Sequence, residues 1–105
     1  MLLHLKTNEF DKEVLQSNQP VLVDFSATWC GPCQMMGPVM EKLAKDFEGK
    51  AKVAKIDIDE NSDLAMKYNI MSVPSMLFFK NGEIKEQVIG AVPEEHLSEK
   101  LNNLL

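Results

Sequence analysis

The sequence predicts a single α/β domain, residues 1–105, in which helices cover both faces of a mixed β-sheet in three layers. Three observations indicate this: apolar strand-like runs alternate with stretches of helical periodicity, a strong turn signal joins the last two strands into a hairpin, and 105 residues suit one domain. The alternation predicts a parallel part of the sheet, and the hairpin adds an antiparallel part. The expected order is β-α-β-α-β-α, then a β-hairpin, then a fourth helix.

A helix cap and an apolar run predict the first helix and the strand that follows it. Asn8 is expected to cap the first helix, with Asp11 at its third position, and Pro20 ends the turn that follows. Residues 21–25 form a nearly continuous apolar run with β-branched side chains, which is typical of a strand buried on both faces. Asp24 interrupts this run.

The next helix is expected to begin in the Cys30-Gly31-Pro32-Cys33 segment. Its apolar positions recur every three or four residues, with Pro38 expected to kink it and Gly49 to end it. These positions are Met36, Val39, Met40, Leu43 and Phe47.

The second half contains the remaining elements. Asn81-Gly82 favours a type I′ turn between two strands. Pro93 is a favoured first residue for the last helix, which carries leucines on one face. The expected elements are an alternating strand at 51–59, a short helix capped by Asn61 or Ser62 and ending at Tyr68, strands at 75–80 and 83–89, and the helix that follows Pro93 with Leu97, Leu101 and Leu104.

Composition excludes several classes of function. With a net charge of −5 and no stripe of basic residues, the sequence offers no positively charged surface for binding nucleic acid. The longest apolar runs are too short to span a bilayer, and the N-terminus lacks the features of a signal peptide. We therefore expect a cytoplasmic protein with no membrane partner. In that compartment a pair of cysteines with two residues between them is either redox-active or metal-binding.

The two cysteines, Cys30 and Cys33, are the only ones in the chain. Closing so short a loop removes little unfolded-state entropy, which favours reversible exchange over an inert cross-link. At a helix N-terminus, unpaired N–H groups and the helix dipole stabilise a thiolate on Cys30. Cys33 lies one turn further in and is expected to be buried and protonated. Cys30 is thus the exposed nucleophile and Cys33 the resolving thiol. Pro32 suits the first turn.

Two other interpretations of the cysteine pair remain: half of a zinc site and a purely structural disulfide. Zinc needs four ligands, and the only imidazoles, His4 and His96, lie near opposite ends of the chain. A second such cysteine pair is absent. We therefore expect no metal.

The motif and its surroundings resemble the thioredoxin family over essentially the whole chain. The similarity runs through residues 23–33, which include Trp29 and the cysteines, and then through Pro38, residues 53–57, 73–75 and 79–82, and Gly90. The resemblance implies a general protein-disulfide reductase with no bound cofactor, working through reversible dithiol–disulfide cycling as an electron donor to other proteins. It further implies a monomer that is re-reduced by a flavin- and NADPH-dependent thioredoxin reductase.

The resemblance also implies roles for residues around the cysteine pair. Asp24, a costly acid within a buried strand, would take the proton from Cys33, and Lys55 would approach Asp24 and modulate its charge. The Val73–Pro74 bond would be cis and face the sulfurs, with the backbone of Val73 pairing with the target. Trp29 would shield the site. A flat apolar rim is expected from Gly31, Pro32, Val73, Pro74, Ile89, Gly90 and Ala91.

Some positions depart from the commonest bacterial pattern: Ser26 replaces a Trp, Gln34 a Lys, and Met71-Ser72 an Arg-Gly pair. These changes bear on partner preference rather than on the chemistry. Two alternatives to a reductase remain. A disulfide oxidase or isomerase of the same fold usually has His in the spacer between the cysteines, and a scaffold subunit would not need all of Cys30, Cys33, Asp24 and Pro74.

Overall fold

The computed structural model describes residues 1–105 and confirms the predicted α/β class, with four helices and a five-stranded mixed sheet. The first helix continues into a π-helical turn, Asp11–Leu15. None of the helices combines the length and apolar character needed to cross a membrane. The elements are β1 (Leu3–His4), α1 (Thr7–Phe10), β2 (Val21–Ser26), α2 (Gly31–Asp46), β3 (Lys52–Asp57), α3 (Ser62–Lys67), β4 (Ser75–Lys80), β5 (Glu83–Ile89) and α4 (Glu94–Asn102).

The sheet has the order β1-β3-β2-β4-β5, with β2 at its centre. Strands β1 and β2 both run parallel to β3, whereas β4 is antiparallel to both β2 and β5. Asp24 in β2 is therefore flanked by Lys55 in β3 and Met76 in β4. The sheet thus has a parallel part and an antiparallel part, as predicted, and the antiparallel part consists of the β4–β5 hairpin and the pairing of β4 with β2.

Each face of the sheet has its own hydrophobic core, which explains why every residue of β2 is buried. Successive side chains of a strand point to opposite faces. Leu22 packs with apolar residues of α2 and α4, and Val23 packs with residues of α1 and α3 on the other face. Asp24 has the same parity as Leu22, so its carboxyl group lies on the α2 face.

Two helix starts differ from the prediction. Asn8 lies inside α1, and the cap is at Lys6, whose backbone N–H donates to the Glu9 carboxylate at 2.9 Å. The carboxylate of a capping box replaces the Asn side chain because Glu9 lies three residues after Lys6. Pro93 is the N-cap of α4 and not its first residue.

The β4–β5 hairpin requires glycine at its second turn position. Asn81 and Gly82 both have positive φ, 54° and 77°, as a type I′ turn demands. A Cβ atom on Gly82 would also lie 3.0 Å from the carbonyl oxygen of Leu15. The turn therefore packs directly against the end of the π-helical segment.

Candidate active site

The cysteine pair lies where the loop after β2 enters α2. Cys30 is the N-cap of this helix, and a disulfide joins it to Cys33. The backbone N–H of Cys33 donates to Cys30 Sγ at 3.2 Å. Pro32 occupies the first turn, where its missing N–H costs nothing. The N-terminus of α2 thus directs the Cys33 N–H at Cys30 Sγ.

The burial of Cys30 corrects one expectation. The residue is 5% exposed and Cys33 is 1% exposed, so Cys30 is not the open nucleophile that the sequence indicated. Its sulfur lies 3.6 Å from the carbonyl oxygen of Val73, a residue 43 positions away in the chain. Ile58 packs against the same small cluster. The N-cap position of Cys30, rather than a large difference in exposure, therefore distinguishes the two sulfurs.

The Val73–Pro74 segment faces Cys30 through the Val73 carbonyl. The Val73–Pro74 bond is cis, in agreement with the expectation, and Pro74 is buried. The carbonyl of Pro74 accepts the Gly90 N–H at 2.8 Å, which ties the end of β5 to this segment. Gly90 has φ +91°, a conformation that favours glycine.

A shallow groove of about 450 Å³ runs beside Cys30. We call it the Cys30 groove. It contains Gly31, Pro32 and Val73 of the predicted rim, whereas Ile89, Gly90 and Ala91 lie outside it. Ile58 and Ile70, which the sequence did not point to, contribute to it. Its lining residues are Trp29, Cys30, Gly31, Pro32, Ile58, Ile70, Met71, Ser72 and Val73.

Asp24 is fully buried, and neither of its carboxylate oxygens has a hydrogen-bond partner. Burial raises the pKa of Asp24 to about 6, because desolvation disfavours the charged form. The positive charge of Lys55, its register neighbour, acts in the opposite direction and lowers this pKa. An acid with these properties changes its charge near neutral pH, which is the range in which a general acid or base is most useful.

A second cavity, of about 430 Å³, reaches Cys33 from the side of the sheet edge. Lys55 and Cys33 both line it, together with Ser26 and Gln34. Gln34 Nε2 also donates to the Thr28 carbonyl at 3.0 Å, which braces the loop before Cys30. Cys33 thus borders a cavity whose lining residues are mostly polar, whereas the Cys30 groove is mostly apolar.

Trp29 is 68% exposed, so it belongs to the surface of the site and not to the core. Its indole N–H donates to the Asp59 carboxylate at 2.8 Å. Asp59 is a site residue that the sequence did not point to, because no local pattern links it to Trp29, 30 positions away in the chain. Asp59 fixes the position of the indole beside Cys30.

The chain contains no cluster of three or more His, Cys, Asp or Glu side chains that could hold a metal ion. His4 lies in β1 opposite Lys55, and His96 lies in α4. Neither joins the cysteines to form a cluster. What the site can do chemically is open and close the Cys30–Cys33 disulfide next to a shallow, mostly apolar groove.

Comparisons with known proteins agree with this chemistry. The family model described as Thioredoxin matches residues 1–103. The chain is 50% identical over 93 residues to the thioredoxin of Chlorobaculum thiosulfatiphilum, covering 89% of this chain and 86% of that protein. It is 50% identical over 97 residues to the thioredoxin of Staphylococcus aureus strain Mu50, covering 92% and 91%. It is 51% identical over 98 residues to the chloroplastic M-type thioredoxin of Pisum sativum, covering 93% of this chain but 57% of that protein.

Proposed function

The chain belongs to the thioredoxin family of thiol–disulfide oxidoreductases, and we propose that it reduces protein disulfides with Cys30 as nucleophile and Cys33 as resolving thiol. The family acts through its own dithiol and needs no bound cofactor. The observation that carries the assignment of roles is the position of Cys30 Sγ at the N-cap of α2, where it accepts the Cys33 N–H. This position favours negative charge on Cys30 in the reduced protein.

In the first step, the Cys30 thiolate attacks one sulfur of the target disulfide. The target S–S bond breaks, a mixed disulfide forms between Cys30 and the target, and the departing target thiolate takes up a proton. Val73 pairs with the target backbone by strand addition, which its closeness to the reacting sulfur supports, since its carbonyl oxygen lies 3.6 Å from Cys30 Sγ. Pro74 has no N–H group that could compete for the target's carbonyl groups.

In the second step, Cys33 loses its proton and attacks Cys30 Sγ. The mixed disulfide breaks, the second target thiolate leaves, and the Cys30–Cys33 disulfide forms. Asp24 accepts the proton from Cys33, because it is an unpaired carboxylate with a pKa of about 6 on the same face of the sheet as α2. The positive charge of Lys55 lowers the pKa of Asp24.

Target recognition depends on the apolar surface around the sulfurs. Trp29, Gly31, Pro32 and Val73 line the Cys30 groove. Ile89, which is 60% exposed, together with Gly90 and Ala91 extends the rim on the far side of Pro74. Small residues at this rim permit a partner backbone to approach closely.

Thioredoxins are generally reduced by a thioredoxin reductase, and we propose an NADPH-dependent enzyme of this kind as the electron donor to a monomer acting in the cytoplasm. Glutathione and related systems keep cytoplasmic thiols reduced, which is the condition that a reductant of protein disulfides requires. Fractionation of cells of the source organism tests the compartment, since a chloroplastic form exists among the relatives.

Insulin-disulfide reduction tests the assignment, with dithiothreitol or a reductase as electron donor. The wild type should be active and Cys30→Ser inactive. Cys33→Ser is the matched control, because it keeps the nucleophile and should accumulate the mixed disulfide that Cys30→Ser cannot form. An inactive wild type would instead indicate a scaffold, and a redox potential well above the cytosolic poise would indicate an oxidase.

A further inference from the structure

The seven methionines fall into two groups that differ in access to solvent. Met36, Met40 and Met76 are at most 2% exposed. The other four are at least 72% exposed, and Met71 is the most exposed of these at 92%. A peroxide in solution can therefore reach only the second group, whose members are Met1, Met35, Met66 and Met71.

Met71 differs from the other exposed methionines in its location. It lines the Cys30 groove, two residues before Val73. Met66 lies in an adjoining groove, which shares Ile58, Ile70 and Met71 with the first but does not contain Cys30. Met35 and Met1 line neither groove. Of the exposed thioethers, only that of Met71 lies on the surface where a target must pack.

The redox state of the cysteines decides which sulfur reacts with a peroxide. A thiolate is the stronger nucleophile in the reduced protein. In the disulfide form shown by the structure, Cys30 and Cys33 have no thiolate, so the exposed thioethers become the reactive sulfurs. This form accumulates when electron donors are scarce.

We infer that Met71 is an oxidation site whose conversion to the sulfoxide weakens the docking of protein targets while leaving disulfide chemistry intact. The inference rests on the proposed function, because it requires targets to dock in the Cys30 groove. The oxidant is a hydroperoxide: its terminal oxygen forms an S–O bond with Met71, the O–O bond breaks, and the proton of that oxygen moves to the departing oxygen to give water or an alcohol. The thioether is oxidised by two electrons and the peroxide is reduced.

The sulfoxide acts on docking through desolvation. Its oxygen is a strong hydrogen-bond acceptor, and the groove offers it mostly apolar neighbours such as Trp29 and Ile70. A target that packs there strips water from this oxygen without replacing the hydrogen bonds, which costs binding free energy. A methionine sulfoxide reductase would restore the thioether. A small disulfide needs only the sulfurs and should be unaffected.

The experiment treats the disulfide form with hydrogen peroxide, removes the peroxide, and then reduces the cysteines with dithiothreitol, which leaves sulfoxides in place. Peptide mass spectrometry locates each added oxygen. Reduction of insulin and of the small disulfide 5,5′-dithiobis(2-nitrobenzoic acid) is measured before and after treatment, and each variant is compared with its own untreated sample. For the wild type, we expect insulin reduction to fall at least about threefold, as for one unpaired polar group at an interface, with reduction of the small disulfide unchanged.

Two variants test whether oxidation of Met71 causes the loss of insulin reduction. Both exchange methionine for an apolar side chain of similar volume. Met71→Leu keeps Met1, Met35 and Met66 available for oxidation and should retain its insulin activity after treatment. The double variant Met35→Leu/Met66→Leu keeps Met71 and should lose activity as the wild type does. An equal loss in Met71→Leu, or full wild-type activity with Met71 oxidised, would overturn this inference alone. An untreated wild type that fails to reduce insulin would overturn the proposed function and the inference with it.

Discussion

Two buried polar side chains, Asp24 in β2 and Asn61 at the N-cap of α3, have opposite surroundings. Asn61 is 5% exposed and all its polar atoms are used: Oδ1 accepts the backbone N–H of Thr7 at 2.8 Å and its hydroxyl at 3.1 Å, and Nδ2 donates to the Asp57 carbonyl at 3.0 Å. Asp24 is completely buried and has no partner. Asn61 joins α1 to the loop after β3, whereas Asp24 is held without a partner in the central strand of the sheet.

The difference distinguishes a buried polar group that stabilises the fold from one that is kept for the chemistry of the site. A buried polar group that is fully hydrogen-bonded stabilises the fold, whereas an unpaired one costs stability. Natural proteins keep such costs mainly at functional sites. The contrast therefore predicts that removing the polar group should destabilise the protein at Asn61 and stabilise it at Asp24.

The largest effect is expected at Asn61. Asn61→Ala removes three side-chain hydrogen bonds and leaves the Thr7 N–H without a partner, so unfolding free energy should fall by about 4 kcal/mol, at pH 4 and at pH 8 alike. Urea denaturation measures this change. Asn8→Ala is the control, because Asn8 is exposed and should change stability by less than about 0.5 kcal/mol. A similar loss in both variants would contradict the structural role of Asn61.

Asp24→Asn should have the opposite effect and depend on pH. The pKa of Asp24 rises from 3.8 to about 6 on folding, so above pH 6 the native state carries a buried charge that the unfolded chain keeps in water. This penalty is absent below about pH 4, grows as pH rises through 6, and reaches about 3 kcal/mol. The variant should therefore match the wild type near pH 4 and exceed its stability at pH 8.

The same substitution should slow insulin reduction, because the neutral amide cannot accept the proton of Cys33. Stability and turnover measured on one Asp24→Asn sample would thus move in opposite directions. Unchanged kinetics across the pH range would remove Asp24 from the mechanism, even if the gain in stability is observed.

The smallest effect is expected at Lys55. Lys55→Met removes the charge that lowers the pKa of Asp24, so this pKa should rise further, as followed by carboxyl NMR titration. Lys52→Met is the matched control on the same strand, since Lys52 lies opposite Val21 and its amino group binds Glu13. A shift of equal size in both variants would mean that Lys55 has no specific influence on Asp24.

Local sequence predicted the environment of Asp24 but not that of Asn61. The position of Asp24 inside an apolar run predicted a buried acid, and burial alone accounts for the direction of its pKa shift. Asn61 was expected only as one of two possible helix caps. Its side chain instead bonds Thr7, 54 residues away, and no periodicity or cap pattern encodes such a distance.

Local sequence patterns were enough to predict the order of strands and helices along the chain, the hairpin turn and the position of the cysteine pair at the start of α2. Each depends on neighbours within a few residues, because alternation, capping and turn chemistry act locally. Three contacts came to light only in the folded molecule: Val73 covers Cys30, Asp59 binds the Trp29 indole, and Gly82 packs against Leu15. These contacts join segments that approach only after the chain has packed around its two cores, so local sequence patterns do not reveal them.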